Sequence, residues 1–293
     1  MSSPFADRLA ALVEERRSQL CLGLDPDPSE LDAGFPAVGG SVADRAGEAV
    51  AAHCKSLIAS AGPACVAVKL QLACFERLGA PGWTALERTA AAARSAGLLV
   101  IADGKRNDVP VSAAAYAQAL FGSTPTPWGE VEGLGADGAT VGPLLGGDSL
   151  EPLLAGAVEA DGGLFVLVRT SNKGAADVLD LPTPEAPLFE RLAALVADRA
   201  DRLLGGCGLS GMGAVVGATE PRHLARLREL MPRSIFLVPG VGAQGGRAAD
   251  LGAAFADHPA SVLVTASRSI AGAPDPAAAA GGLRDELWAL AGD

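Results

Sequence analysis

The sequence has few aromatic residues, few lysines and no long apolar run. Aromatic residues make up only 4% of the 293 residues, so Ala, Val and Leu must fill most of any core. No window offers the roughly 18 uninterrupted apolar residues that a membrane-spanning helix needs. The N-terminal segment also lacks the apolar core of a signal peptide. Together these absences predict a cytoplasmic protein.

Cysteine and histidine are also sparse. The five cysteines are odd in number and form no C-x-x-C pair; they are Cys21, Cys54, Cys65, Cys74 and Cys207. This favours small core residues in a reducing compartment over disulfides or a metal centre. The three histidines fall in predicted helices or in a loop, away from the expected site, at His53, His223 and His258. They predict neither a histidine acid–base pair nor a zinc site.

Acidic residues outnumber basic ones, giving a formal net charge of −11 and a pI near 4.8. This balance argues against nucleic acid and against anionic membranes as partners. An anionic substrate would need a locally positive pocket. Most of the 23 basic residues are arginines, so each lysine is informative; the lysines are Lys55, Lys69, Lys105 and Lys173.

Short apolar runs alternate with Ala- and Leu-rich segments of helical period. The runs predict eight strands, at 20–25, 65–70, 98–103, 138–142, 164–169, 213–217, 235–239 and 261–266. They are continuously apolar, as expected of parallel strands covered on both faces. Helices are predicted between them, for example at 43–60, 83–96, 187–204 and 221–230. Eight such units favour an α/β fold with one (β/α)8 TIM barrel over a doubly wound sheet.

No Ser/Gly-rich linker divides the chain, which predicts a single domain over residues 1–293 with an N-terminal helix at about 4–17. Two stretches are longer than the connections of a minimal barrel require. One is a Pro/Gly loop at 27–40 and the other is a Pro/Gly-rich insertion at about 122–135. Each is expected to be a surface excursion, with part of a dimer contact as the alternative.

Charged and polar residues follow the predicted strands at their carboxyl ends, where barrels of this type carry their chemistry. In order they are Asp25, Lys69, Asp103 with Lys105, Arg169-Thr170-Ser171, Pro239-Gly240 and Arg268. In the segment DGKRND at 103–108, Asp103 and Lys105 project to the same side of a strand. Considered separately, Asp103 and Lys105 are typical of an ordinary ion pair, and Asp108 is typical of a helix N-cap. The combination at the end of the third strand is more specific than either part and indicates a site.

Several segments, in order, resemble the orotidine 5′-phosphate decarboxylase suprafamily and in particular its longer bacterial (type 2) subfamily. They are LGLDPDP, VKLQLACFE, DGKRND, VRTSNKG, VPGVGAQGG and SRSI, after the first, second, third, fifth, seventh and eighth strands. The resemblance implies a homodimer that converts orotidine 5′-phosphate to UMP and CO2 in pyrimidine biosynthesis, with neither metal nor cofactor.

The resemblance also implies the role of each site residue. It implies a catalytic tetrad in which Lys105 protonates C6 beside Asp103, Lys69 holds the network, and Asp108 crosses the dimer interface. The implied substrate contacts are Asp25 for the ribose, Ser171 and Thr170 for the pyrimidine, Pro239, Gly240, Gln244 and Arg268 around the phosphate, and Ser112 in the partner's pocket. The segment DVPVSA, which contains Ser112, departs from the Gly-containing version of the subfamily. Loops after strands seven and eight of a barrel commonly bind phosphate, as Gly240-x-Gly242-x-x-Gly245 would here.

Three alternatives compete with this interpretation. Mg²⁺-dependent sugar-phosphate decarboxylases and synthases of the suprafamily share D-x-K-x-x-D but carry a carboxylate where this chain has Lys69, with Glu76 the nearest acid. A Schiff-base aldolase would use Lys69 or Lys105 as an uncharged nucleophile. A non-catalytic nucleotide-phosphate-binding barrel would have a broken tetrad. Lys173 is expected to be a solvated charge rather than a lysine near the pyrimidine.

Overall fold

The computed structural model describes residues 3–31, 39–242 and 245–291. Its strands are β1 (Leu20–Leu24), β2 (Ala67–Gln71), β3 (Leu99–Arg106), β4 (Ser123–Thr126), β5 (Gly129–Glu132), β6 (Gly138–Val141), β7 (Gly163–Arg169), β8 (Ser210–Val216), β9 (Ser234–Val238) and β10 (Val262–Ala266). All except β4 and β5 form one closed barrel of parallel strands. It closes where β10 pairs with β1, with Leu20 beside Val264. The predicted (β/α)8 barrel is confirmed, whereas its extent as one domain over 1–293 stays a prediction.

Helices connect the strands and cover the outside of the barrel. They are α1 (Phe5–Arg16), α2 (Val42–Ala61), α3 (Leu72–Glu76), α4 (Ala80–Ser95), α5 (Pro110–Leu120), α6 (Gly147–Glu159), α7 (Ala175–Leu179), α8 (Leu188–Ala197), α9 (Pro221–Leu230), α10 (Arg268–Ala271) and α11 (Pro276–Ala291). A capping box fixes the start of α2, because Ser41 and Asp44 each bind the other's backbone N–H. Within the described ranges, no helix is long and apolar enough to span a membrane.

The predicted elements are present, and some of their ends differ. The strand predicted at 98–103 continues to Arg106, which pairs with Val141 of β6, so Lys105 lies on the strand. The helix predicted at 187–204 ends at Ala197 and gives way to a 3-10 turn at Ala200–Leu203. There the Ser210 hydroxyl donates to the Ala200 carbonyl at 2.6 Å, which ties the turn to the foot of β8. The end of β3 and the turn after α8 are therefore both held by hydrogen bonds to neighbouring segments.

The insertion predicted at 122–135 contains an exposed hairpin. Strands β4 and β5 pair antiparallel, and the Thr126 hydroxyl closes the turn by donating to the Gly129 carbonyl at 2.7 Å. Trp128 at the tip is 93% exposed. The hairpin is exposed on this chain, and the choice between a surface excursion and part of a dimer contact stays a prediction. Of the loop predicted at 27–40, residues 32–38 lie outside the described residues, and Pro28–Glu30 forms a 3-10 turn.

Helix α1 closes the amino-terminal end of the barrel. Phe5 is buried and packs edge-to-face on Phe165 of β7, with ring centroids 5.7 Å apart. The Asp7 carboxylate accepts hydrogen bonds from the backbone N–H groups of Gly206 and Cys207. The open end of the barrel is therefore the carboxyl end of its strands.

Three of the five cysteines are core residues, and Cys74 and Cys207 are partly buried. All five are free thiols, and Cys21, Cys54 and Cys65 are buried. Burial raises the pKa of Cys54 and of Cys65 to about 12, so both thiols are neutral and unreactive at physiological pH. This agrees with the structural role expected from their spacing.

Candidate active site

A cavity of about 790 Å³ opens at the carboxyl ends of the barrel strands. Most of the predicted site residues line it: Asp25, Lys69, Asp103, Lys105, Thr170, Ser171, Pro239, Gly240 and Arg268. Asp108 and Ser112 are described but are not part of this lining. Gln244 lies outside the described residues. One cavity thus brings together residues that come from strands far apart in sequence.

Asp103 lies at the centre of a charged network in this cavity. Its Oδ2 is 2.5 Å from Lys69 Nζ, and its Oδ1 is 2.6 Å from Lys105 Nζ. Lys69 Nζ also lies 3.5 Å from Asp25 Oδ1. The strand register brings Lys69 and Asp103 together, because Gln71 of β2 pairs with Asp103 of β3 and Lys69 projects to the same face as Gln71. Three members of the predicted tetrad therefore meet within one chain.

Two further residues complete the hydrogen bonding of Asp103. The Thr140 hydroxyl of β6 donates to Oδ1 at 2.7 Å, and Gln71 Nε2 donates to Oδ2 at 3.1 Å. Each carboxylate oxygen thus accepts one ammonium and one uncharged donor. Sequence reasoning missed both residues. The only available signal was their position, a polar side chain near the carboxyl end of an otherwise apolar strand.

Burial and charge act in opposite directions on this network. Burial alone would raise the pKa of Asp103, but Lys69 and Lys105 outweigh it and hold that pKa at about 2. Burial alone would lower the pKa of Lys69, and Asp103 and Asp25 raise it above its ordinary value instead. Asp103 is therefore a carboxylate and Lys69 an ammonium across the physiological range.

The backbone at Lys105 is unusual for a strand. Its φ is +47°, in the left-handed region that residues other than glycine rarely adopt. The pairing of β3 with β6 is irregular between Ala102 and Arg106, and the Lys105 N–H donates to Thr140 Oγ1 at 3.0 Å instead of to a strand partner. The side chain is 44% exposed while its ammonium contacts Asp103. This conformation places an accessible ammonium at the cavity wall.

Asp108 does not cap the helix that follows it. The cap of α5 is Val109, without a side-chain cap bond, and Asp108 Oδ1 accepts from the adjacent Val109 N–H at 2.8 Å. The N-cap interpretation of Asp108 is therefore wrong, because α5 starts two residues later, at Pro110. Ser112 lies in the first turn of α5, half-buried and outside the cavity lining of its own chain.

The loop after β7 carries Thr170 and Ser171 into the cavity, but the preceding Arg169 turns away from it. Arg169 is buried and forms a bidentate ion pair with Asp180, with Nε–Oδ1 at 2.7 Å and Nη2–Oδ2 at 3.0 Å. Its Nη1 donates to the Thr170 carbonyl at 2.8 Å. Arg169, one of the polar strand-end residues, thus holds the loop and does not line the cavity.

The loop after β9 begins with Pro239 and Gly240 and folds back on itself. Gly246 N–H donates to the Gly240 carbonyl at 3.0 Å, and Gly242 N–H donates to the Gly246 carbonyl at 2.9 Å. Gly240 and Gly242 have φ of +102° and +80°, which favours glycine at both positions. Arg268 begins α10, which follows the neighbouring strand β10, and is exposed at the cavity. This end combines a tight loop with a cation, an arrangement suited to a phosphate.

The described residues offer no group of three or more His, Cys, Asp or Glu side chains placed to hold a metal ion. Glu76, the acid nearest to Lys69 in sequence, forms an ion pair with Arg106. Of the histidines, His53 departs most from expectation, because it lines an adjoining cavity of about 430 Å³ whose wall shares Asp25 and Arg268 with the main one.

The charge of the cavity differs from that of the whole chain. Its lining contains four cations and two carboxylates, namely Lys69, Lys105, Lys173 and Arg268 against Asp25 and Asp103. The chain as a whole has a net charge of −11. The locally positive pocket that an anionic ligand needs is therefore present.

Comparison with known proteins gives consistent results. Residues 18–283 match the model of the orotidine 5′-phosphate decarboxylase / HUMPS family. The orotidine 5′-phosphate decarboxylase of Rhodopirellula baltica is 40% identical over 91% of this chain and 87% of its own. That of Deinococcus radiodurans is 39% identical over 98% of both chains. The solved Leishmania donovani OMP decarboxylase has a TM-score of 0.78 and 34% identity, covering 99% of this chain and 100% of that one.

Proposed function

The chain belongs to the orotidine 5′-phosphate decarboxylase / HUMPS family, and we propose that it converts orotidine 5′-phosphate to UMP and CO2 with neither metal nor cofactor. The observation that carries this proposal is the Lys69–Asp103–Lys105 network in a positively charged barrel cavity. The reaction is a carbon–carbon bond cleavage of pyrimidine nucleotide biosynthesis. We place it in the cytoplasm, in keeping with five free thiols.

The network suits a reaction whose intermediate is a carbanion. Loss of CO2 leaves an electron pair at C6 of the pyrimidine that the ring cannot delocalise. The Lys105 ammonium stabilises this developing charge and then donates a proton to C6. Asp103 pairs with the Lys105 ammonium and orients it, and Lys69 keeps Asp103 ionised despite its burial. Because these groups are already paired in the folded protein, little reorganisation is needed during the reaction.

The remaining contacts hold the substrate in register with Lys105. In this proposal Asp25 binds the ribose hydroxyls, Ser171 with Thr170 reads the pyrimidine, and Arg268 with the 239–246 loop binds the phosphate. Gln244 lies outside the described residues, and its role as a phosphate contact stays part of this proposal. Energy from binding the phosphate and ribose, remote from C6, then serves to fix the ring in its reactive position.

The proposed active form is a homodimer in which each Asp108 completes the partner's site, with Ser112 beside it. The surface around Asp108 supports a protein contact. Gly142 N–H donates to the Arg106 carbonyl at 2.9 Å, which brings the segment after β6 beside the one that holds Asp108. Four apolar side chains of these two segments are more than half exposed: Val109, Val111, Leu144 and Leu145. A patch of this kind is typical of a protein interface.

Neither of the two competing enzyme classes finds the residues that it requires in this site. The metal-dependent sugar-phosphate enzymes need a carboxylate where Lys69 lies, and Glu76 is already paired with Arg106. A Schiff-base aldolase needs an uncharged lysine, whereas Lys69 and Lys105 each contact the Asp103 carboxylate, and the pKa of Lys69 is raised by that contact. Neither class is therefore favoured by an observation in this chain.

The test is to follow the absorbance of orotidine 5′-phosphate with EDTA-treated protein. We expect turnover by the wild type without added metal. Lys105→Ala should lose activity by at least about 10³-fold, since it removes both the proton donor and the charge at C6. Lys55→Ala, on the exposed face of α2, is the matched control and should retain full activity. No turnover by folded wild type, or turnover only after Mg²⁺ is added, would refute the proposal.

A further inference from the structure

Lys173 is the cavity lysine that the Asp103 network leaves unused. It lines the same cavity as Lys69 and Lys105, and its side chain is exposed at the rim. Among the described residues it forms no ion pair, whereas Lys69 and Lys105 both contact Asp103. Sequence reasoning favoured a solvated charge for this residue. Its position on the cavity wall favours the alternative, a lysine near the ligand.

The backbone on both sides of Lys173 is anchored. Two residues before it, the Ser171 carbonyl accepts from Thr219 Oγ1 at 3.2 Å, and Ser171 packs so closely on Gly217 that a Cβ there would lie 2.6 Å from Ser171 Cα. Two residues after it, Ala175 is buried at the start of α7. Lys173 therefore stands on a short segment held at both ends, which limits where its ammonium can reach.

The buried Arg169–Asp180 ion pair also holds the segment that carries Lys173. Arg169 holds the Thr170 carbonyl and the Asp180 carboxylate at the same time, so it joins the start of the loop to the residue just after α7. A bidentate Arg–carboxylate pair with little exposure has a defined geometry. The loop that carries Lys173 is thus closed by a rigid link.

Few of the positive charges that line the cavity are free to bind an anionic ligand, and Lys173 carries one of them. Lys69 and Lys105 face the carboxylates of Asp103 and Asp25, so they add little net positive charge. Arg268 and Lys173 are the cations of the lining that have no ion-pair partner among the described residues. The ligand carries about three negative charges, a carboxylate and a phosphate. Arg268 alone, at the phosphate end, does not balance them.

We propose that Lys173 is a substrate-binding cation that attracts and holds the anionic nucleotide at the cavity rim. It acts on binding and not on the bond-breaking step, because the Asp103 network already supplies the charge and the proton at C6. This inference rests on the proposed function and adds to it a residue that determines affinity for the anionic ligand.

The experiment compares Lys173→Gln with Lys55→Gln, a matched loss of one exposed lysine outside the cavity, and with Lys173→Arg, which keeps the charge. Steady-state kinetics with orotidine 5′-phosphate should give Lys173→Gln an unchanged kcat and a KM raised about fivefold, as expected for one partly screened charge. Its KM should also depend less steeply on salt than that of the wild type. Lys55→Gln should match the wild type, and Lys173→Arg should restore most of the affinity.

A second readout is calorimetric titration with UMP and with uridine, which lacks the phosphate. Weaker UMP binding by Lys173→Gln, with uridine affected less, supports the inference. A KM and UMP affinity equal to those of the wild type would overturn it, as would a lowered kcat at unchanged KM. Lack of turnover by the wild type would instead overturn the proposed function, and the UMP titration would still test Lys173.

Discussion

At Asp103 the cost of burying a carboxylate is offset by four donors. Lys69, Lys105, Thr140 and Gln71 all contact its two oxygens, and the pKa of about 2 records the balance between desolvation and these contacts. A carboxylate held in this way contributes to folding as well as to the site. Its folded pKa lies below the unfolded value, so the contribution is present above about pH 4 and is lost as the pH falls through 2.

The first prediction concerns Asp103→Asn and acid stability. Near pH 5 the variant should be less stable than the wild type by about 3 kcal/mol, because Lys69 loses its buried partner. Between pH 5 and pH 2 this difference should shrink by about 2 kcal/mol, since the wild-type carboxylate becomes protonated as well. Urea unfolding at a series of pH values measures it. The exposed Asp257→Asn is the control, and a difference for Asp103→Asn that stays constant with pH would contradict the prediction.

At the scale of elements, the sequence predicted the strands and helices well because continuous apolar runs and helical periodicity depend on local residues. Strand ends that depend on distant partners were predicted less well, as at Arg106, whose place on β3 follows from its pairing with Val141. The same limit applies in the site. Thr140 and Gln71 reach Asp103 through the register of neighbouring strands, and the Arg169–Asp180 pair spans a loop. None of these contacts has a spacing that the sequence alone reveals.

The loop after β7 depends on a glycine in the next strand–loop unit, which gives the second prediction. A Cβ at Gly217 would lie 2.6 Å from Ser171 Cα, so Gly217→Ala must displace the Ser171 segment. We expect kcat/KM to fall on the order of tenfold or more, because small misplacements of binding groups are costly, while the barrel stays folded. Gly252→Ala, where a Cβ meets nothing within 4 Å, is the control. Wild-type kinetics for Gly217→Ala, with circular dichroism unchanged, would show that the loop tolerates the shift.

At the scale of the whole molecule, one chain supplies three members of the tetrad, and Asp108 lies outside its own cavity lining. A complete site in our proposal therefore needs two chains. The exposed apolar residues beside Asp108, together with its partial exposure, make that part of the surface the expected contact. The hairpin with Trp128 lies at the opposite end of α5 and is a separate surface feature.

Subunit mixing tests this arrangement and is the third prediction. Lys105→Ala and Asp108→Asn homodimers should each be nearly inactive. When they are unfolded, mixed in equal amounts and refolded, half of the dimers should be hybrids with one intact site, which restores about a quarter of wild-type activity. Each variant refolded alone is the control. If the mixture stays as inactive as its parents, although both variants form dimers, Asp108 does not act across the interface.

The closure of the barrel also sets the order in which the chain can fold during its synthesis. Strand β1 pairs with β10 as well as with β2, and the Phe5 ring of α1 needs Phe165 of β7. At roughly 5–20 residues per second, a ribosome delivers β10 on the order of ten seconds or more after β1. During that interval the backbone N–H and C=O groups on one edge of β1 and the buried face of α1 lack their final partners. The barrel can therefore close only after its last strand has been synthesised, so the order of synthesis leaves β1 with one partner strand until then.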